Sequence, residues 1–130
     1  MEQNNLISFA NAKASLFDPE VLTLLAPSVY NPTPERLKHR AEEYAADSNV
    51  KAYACKNSEK YIGIVVFVTE NGTTEILDIA VKPEYRKHGI GRKLIDFIFN
   101  RFPVDTIIAE TDDEAVEFYK RCGFTITSVG

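Results

Sequence analysis

Asn71-Gly72 stands between two runs, Tyr61–Thr69 and Thr73–Val81, that are rich in Val, Ile, Tyr, Phe and Thr. The dipeptide suits a two-residue turn whose central residues both take positive φ, and the β-branched and aromatic runs around it make the unit an antiparallel hairpin. Beyond Val81 the chain passes through a loop containing Gly89 and Gly91, then repeats apolar residues at Ile90, Leu94, Phe97 and Ile98, the spacing of one helical face. A hairpin that feeds a strand, a glycine-bearing loop and a helix calls for a sheet with a helical crossover.

The flanking segments extend the pattern. Leu6–Phe9 reads as a short first strand, and Val50–Lys56 as the strand before the hairpin. Asp18-Pro19 supplies an N-cap and a proline at the first helical position ahead of Val21, Leu22, Leu24 and Leu25, and Pro27 stops that helix. Thr33-Pro34 repeats the device before Leu37, Ala41, Tyr44 and Ala45, which share one apolar face. After the crossover helix, which ends near Phe102-Pro103, Asp105–Glu110 has the character of a short buried strand. Asp112 or Asp113 caps a last helix with Ala115, Phe118, Tyr119 and Cys122 on its apolar face, Gly123 ends it, and Phe124–Val129 is a final strand. The expected order is β-α-α-β-β-β-α-β-α-β, a mixed α/β fold with a mostly antiparallel sheet flanked by helices.

With 130 residues and no internal repeat or linker, the whole chain, residues 1–130, is expected to form one domain. Cys55 and Cys122 are the only cysteines and lack C-x-x-C spacing, which disfavours a disulfide framework or a zinc site. His39 and His88 are isolated, so no metal is assigned. Met1–Asn5 lacks the basic segment and apolar run of a secretory signal. The longest apolar run, Tyr61–Val68, has eight residues, far short of the roughly 20 that span a bilayer as a helix. A soluble, cytoplasmic protein is the expectation. The net charge of −4 opposes general binding to nucleic acid or anionic membrane. Its distribution is uneven: from Lys82 to Lys93, five basic residues face Glu84 alone, a local +4 that leaves −8 elsewhere.

That loop opens a helix, and the first-turn amides of a helix have no intrahelical partner, so a phosphate fits there. Glycines permit close approach, and Arg86, Lys87, Arg92 and Lys93 add positive potential. A Walker loop is disfavoured because Arg92-Lys93 follow Gly91 with no hydroxyl for magnesium. A dinucleotide fingerprint is disfavoured because Leu94 occupies the third glycine position. A plain glycine turn before a charged helix, or nucleotide binding without group transfer, stays open on these residues alone.

The run Val81-x-Pro83-x-x-Arg86-x-x-Gly89-Ile90-Gly91-x-x-Leu94 resembles the acyl-CoA signature of the GNAT superfamily of N-acetyltransferases, whose core pattern is Arg/Gln-x-x-Gly-x-Gly/Ala. Downstream, Ala115-x-x-Phe118-Tyr119-x-x-x-Gly123-Phe124 is similar to the later motif of that family. The resemblance implies that backbone amides from Arg86 through Lys87, His88, Gly89 and Ile90 to Gly91, beside the charge of Arg92, hold the pyrophosphate of coenzyme A. It implies that Ile79, Ala80 and Val81 hydrogen-bond the pantetheine arm like an added strand, where this strand and the next splay apart, and it adds Asp112 and Phe118 as cofactor contacts. Many family members have asparagine at the position of Asp112. Family domains commonly continue one strand past the position of Phe124–Val129, so the fold is expected with or without that strand, as a monomer or a homodimer.

The resemblance makes Tyr119 the general acid that protonates the departing thiolate, acetyl-CoA the co-substrate, and a primary amine of a small molecule or peptide the acceptor. By spacing alone, Tyr119 on an apolar helix face reads as core. An amine with a lysine-like pKa is neutral in on the order of one molecule in a thousand at pH 7, a deficit of roughly 4 kcal/mol, so a base helps. Glu75 and Asp78 on the cofactor strand and Glu110 at the end of the next are the candidates; for Asp78, an exposed position or a structural ion pair accounts equally well for an aspartate in mid-strand. Cys122, on the apolar helix face without an evident base, is the weaker covalent alternative. The loop Ala26–Thr33, with Tyr30, either walls an acceptor pocket or is a proline-rich solvent loop. The competing function is a noncatalytic acyl-CoA-binding sensor or interaction module.

Overall fold

A computed structural model describes residues 7–102 and 106–109. In chain order the elements are β1 (Ile7–Asn11), α1 (Pro19–Leu25), α2 (Pro34–Ala46), β2 (Val50–Asn57), β3 (Lys60–Glu70), β4 (Thr73–Val81), α3 (Ile90–Arg101) and β5 (Thr106–Ala109). They follow the order expected from sequence, while the expected last helix and final strand lie outside the described residues. The caps act as read. Asp18 accepts the Glu20 amide at the start of α1, and Thr33 accepts the Arg36 amide at the start of α2, each ahead of a proline. Lys13 ties the far end of α2 to the sheet by donating from Nζ to the carbonyls of Asp47 (2.7 Å) and Val50 (2.5 Å).

The sheet has the order β1-β2-β3-β4-β5, antiparallel except for β4 with β5, which are parallel. Asn71 and Gly72 turn the β3–β4 hairpin with φ of 53° and 82°, as their identities require. Successive strand residues face opposite sides, so each strand feeds two cores. On one side Tyr53, Cys55, Val65, Phe67 and Ile76 pack against Ile90, Leu94, Ile95 and Ile98 of α3. On the other, Ala52, Ala54, Ile64 and Val66 pack against Val21, Leu24 and Leu25 of α1 and Ala41 and Tyr44 of α2. Ala45, placed by spacing on the apolar face of α2, is exposed at the end of that face. An aromatic cluster closes the α3 side: Phe9 stacks on Phe97 at 4.9 Å, and Tyr53, Phe67 and Phe102 meet around them at 5.1 to 6.2 Å.

Two irregularities in the ladder alter which residues face which core. Between β2 and β3, Cys55 pairs with Gly63 but Lys56 pairs with Tyr61, so Ile62 is an extra residue and joins Val65 and Phe67 on the α3 side. Between β3 and β4, Val66 pairs with Asp78 but Phe67 pairs with Ile76, so Leu77 is extra. The second bulge shifts the phase of β4: Ile76, Ile79 and Val81 face α3, whereas Leu77 and Ala80 face α1 and α2, the side on which Asp78 meets α2.

Candidate active site

Among the described residues, the pairing of β4 with β5 runs from Thr73↔Thr106 to Ile76↔Ala109, where the described part of β5 ends. β4 continues past the bulge on its pairing with β3, and Ile79, Ala80 and Val81 form this last stretch before the loop. The chain then makes a short turn. The Lys82 amide donates to Ile62 O (2.8 Å), the Tyr85 amide to Lys82 O (2.8 Å), and the Arg86 amide to Pro83 O (3.2 Å). Of the amides named from sequence, that of Arg86 is therefore already engaged. Its side chain braces the loop instead, with Nε donating to Val81 O at 3.1 Å.

Lys87 and Gly89 both adopt left-handed backbone conformations, φ 67° and 78°. For a non-glycine residue that geometry costs on the order of 1 kcal/mol, so the loop is held in a shape the chain does not favour by itself. Gly89 is the residue from which α3 departs, and a Cβ built on it would meet nothing within 4 Å. The amides of Ile90 and Gly91 open the first helical turn, whose donors an α-helix does not match internally, while Gly89 O accepts from Lys93 (3.0 Å). Arg86, Lys87, His88, Arg92 and Lys93 are exposed around this start, with Asp96 4.0 Å from Arg92 Nε. A helix dipole and clustered cations at the opening turn are features that suit an anion.

What seats this helix start is Gly63, which sequence reading passed over. A Cβ there would lie 3.1 Å from Ile90 Cγ2, 3.3 Å from Ala80 O and 3.3 Å from Leu94 Cδ1. Glycine in the middle of β3 thus lets the first turn of α3 lie directly on the sheet beside β4.

Asp78 is 5% exposed and faces α2. Its Oδ2 accepts from the Tyr44 hydroxyl at 2.5 Å and from Arg40 Nη1 at 3.1 Å. Arg40 Nη1 also lies 3.4 Å from the Tyr44 hydroxyl, and its guanidinium stands 5.8 Å from the centre of the Tyr44 ring. Burial, reinforced by the neighbouring carboxylate, pushes the Tyr44 phenol well above its ordinary range and keeps it a donor. Partial burial works against the Arg40 charge, but Tyr44 and Asp78 outweigh it and hold the guanidinium more firmly protonated than usual. From sequence Tyr44 belongs to the apolar face of α2 and Arg40 carries no signal of its own, because the aspartate they meet lies 34 and 38 residues away.

Glu75, also on β4, is exposed and opposite Val68 and Ile108. Tyr30 is 84% exposed, with the Arg36 guanidinium 5.9 Å from its ring centre. Cys55 is buried under α3, and burial pushes its thiol up to about 11 although Lys93 pulls the other way, so it is un-ionised at neutral pH. Glu110, Asp112, Phe118, Tyr119 and Cys122 lie outside the described residues. Among the described residues no group of His, Cys, Asp and Glu could hold a metal ion, and no helix is long and apolar enough to cross a membrane.

A sequence profile described as the acetyltransferase (GNAT) family matches residues 19–124. The chain belongs to the GNAT acetyltransferase family. It is an acetyltransferase whose matched region takes in the site just described. Solved structures share the fold. Glucosamine-6-phosphate N-acetyltransferase from Arabidopsis thaliana superposes with a TM-score of 0.71 at 18% identity, over 95% of either chain. The aminoglycoside 6'-N-acetyltransferase AAC(6')-Ih from Acinetobacter baumannii gives 0.73 at 14% identity, over 95% of this chain and 94% of the other. An aminoglycoside N-acetyltransferase, AAC(6')-Iy, in complex with CoA gives 0.75 at 14% identity, over 95% of this acetyltransferase and 91% of that chain.

Proposed function

We propose that this acetyltransferase moves an acetyl group from acetyl-CoA to a primary amine of a small molecule or peptide, by direct attack within a ternary complex. One observation carries the reading: a left-handed Gly89 leads the chain from β4 and its short turn into a helix start within the most basic stretch of the sequence. The aminoglycoside acetyltransferase solved with CoA supports coenzyme A as the phosphate-bearing ligand. Amino-sugar substrates in the names of the structural neighbours support an amine acceptor.

In this reading the amides from Lys87 to Gly91 hold the pyrophosphate, beside the charge of Arg92, and Ile79, Ala80 and Val81 align the pantetheine arm. Asp112 and Phe118 complete the cofactor contacts. Acetyl-CoA supplies the acetyl group as a thioester. A phenol of unperturbed pKa about 10 is protonated at neutral pH, which suits Tyr119 to donate to the departing thiolate. Glu75 or Glu110 takes the amine proton, directly or through water. Asp78 is the poorest of the three candidate bases, because its carboxylate is buried and already accepts from Tyr44 and Arg40.

Turnover tests the reading. Purified protein, acetyl-CoA and a panel of amines should release free thiol, and Tyr119→Phe should lower kcat about a hundredfold with little change in the KM for acetyl-CoA. An unchanged kcat removes Tyr119 from the chemistry. CoA binding without turnover across the panel makes the protein a binding module.

A further inference from the structure

The bulge at Leu77 joins two features that the reaction does not by itself explain. It shifts the phase of the strand so that Ile79 and Val81 face α3, and it carries a buried carboxylate. A regular strand would alternate through Ile76, Asp78 and Ala80, placing Asp78 in the apolar core beneath α3. The bulge sends Asp78 to the opposite side, where α2 presents Arg40 and Tyr44 one turn apart, both bonded to the same oxygen. With a side chain 2% exposed, Asp78 has little access to water and depends on those two donors. Bulge and cluster therefore require each other.

We propose that Arg40 and Tyr44 are positioning residues: through Asp78 they clamp the β4 bulge and so fix Ile79, Ala80 and Val81 in the geometry the pantetheine arm needs. The functional part of this inference rests on the CoA reading above; the mechanical part does not. Removing a donor leaves the carboxylate under-satisfied, and the strand relaxes at the bulge to reach water or another partner. The stretch from Ile79 to Val81 then samples several shapes, and a ligand that needs one of them binds more weakly. The rest of the ladder, from β1 to the N-terminal half of β4, keeps its own pairing.

Two measurements on the full chain separate the alternatives. Amide hydrogen exchange, followed by mass spectrometry without ligand, compares wild type with Tyr44→Phe and with Arg40→Ala. The clamp predicts exchange about tenfold faster across 77–81 with β2 and the β2–β3 pairing unchanged. Titration calorimetry with CoA then predicts about tenfold weaker binding for both variants, and Arg40→Lys, which keeps the charge, should recover part of the loss. Uniformly faster exchange, or a lowered melting temperature with wild-type exchange at 77–81 and wild-type CoA affinity, would mean that the cluster only stabilises the fold and would overturn the proposal. If wild type itself fails to bind CoA, the functional reading and the cofactor-positioning role fall together, and the exchange result still decides whether the clamp exists.

Discussion

Gly89→Ala isolates the backbone conformation of the loop before α3 from every other contribution. The residue sits at φ 78° and ψ 13°, and a Cβ there meets no atom within 4 Å. Steric crowding by neighbours is thus absent, and the cost is that of forcing an L residue into the left-handed region, about 1–2 kcal/mol. Chain entropy gives some back: alanine restricts the unfolded state by about 0.4–1 kcal/mol relative to glycine where the conformation fits, which limits the net loss to roughly 1 kcal/mol if the loop holds its shape. If the loop relaxes instead, stability changes less, but the amides of Ile90 and Gly91 move away from their common direction and CoA binding suffers. Urea unfolding and CoA calorimetry on the same preparations read both arms. Gly89→Asn is the control, since asparagine tolerates left-handed geometry better, and it should fall between glycine and alanine. An alanine variant with wild-type stability and wild-type affinity, or an asparagine variant worse than alanine, would refute the argument that this φ matters.

Gly63→Ala should lose roughly 1–2 kcal/mol by urea unfolding, because the new methyl would sit 3.3 Å from the Ala80 carbonyl and 3.1 Å from Ile90 Cγ2. It should also weaken CoA binding by lifting the first turn of α3; equal or greater stability would mean that Ile90 and Leu94 make room freely. The Cys55 thiol, raised by burial to about 11 from an ordinary 9.0, contributes stability that is fully present below its unfolded value and is lost as pH rises through about 11. The fall in stability between pH 9 and 11 should therefore be shallower in Cys55→Val than in wild type, as read by denaturant midpoints across that range.

Much of the fold could be read locally because its signals are local. Asn71-Gly72 specifies its turn through backbone preference, and Asp18-Pro19 and Thr33-Pro34 start their helices through side-chain capping and a fixed φ. The same holds for Gly89, whose left-handed geometry follows from the need to turn a strand into a helix. The bulge at Leu77 was not legible: Ile76 to Val81 reads as an unbroken strand, and only pairing with β3 shows that two residues oppose one. Asp78 was conspicuous as an aspartate in a strand, but its partners come from a helix 34 and 38 residues away in sequence, so no nearby pattern could name them. Gly63 was missed for a related reason, since what makes its lack of a side chain matter is the later helix lying on it.

The stacked rings that join β1 to α3 impose an order on biosynthesis. Phe9, Tyr53 and Phe67 reach the ribosome exit before Phe97 and Phe102, the rings they pack against. A nascent chain halted ahead of α3 presents these three aromatic rings to the cytosol uncovered, a surface for chaperones or for other nascent chains until translation delivers its lid.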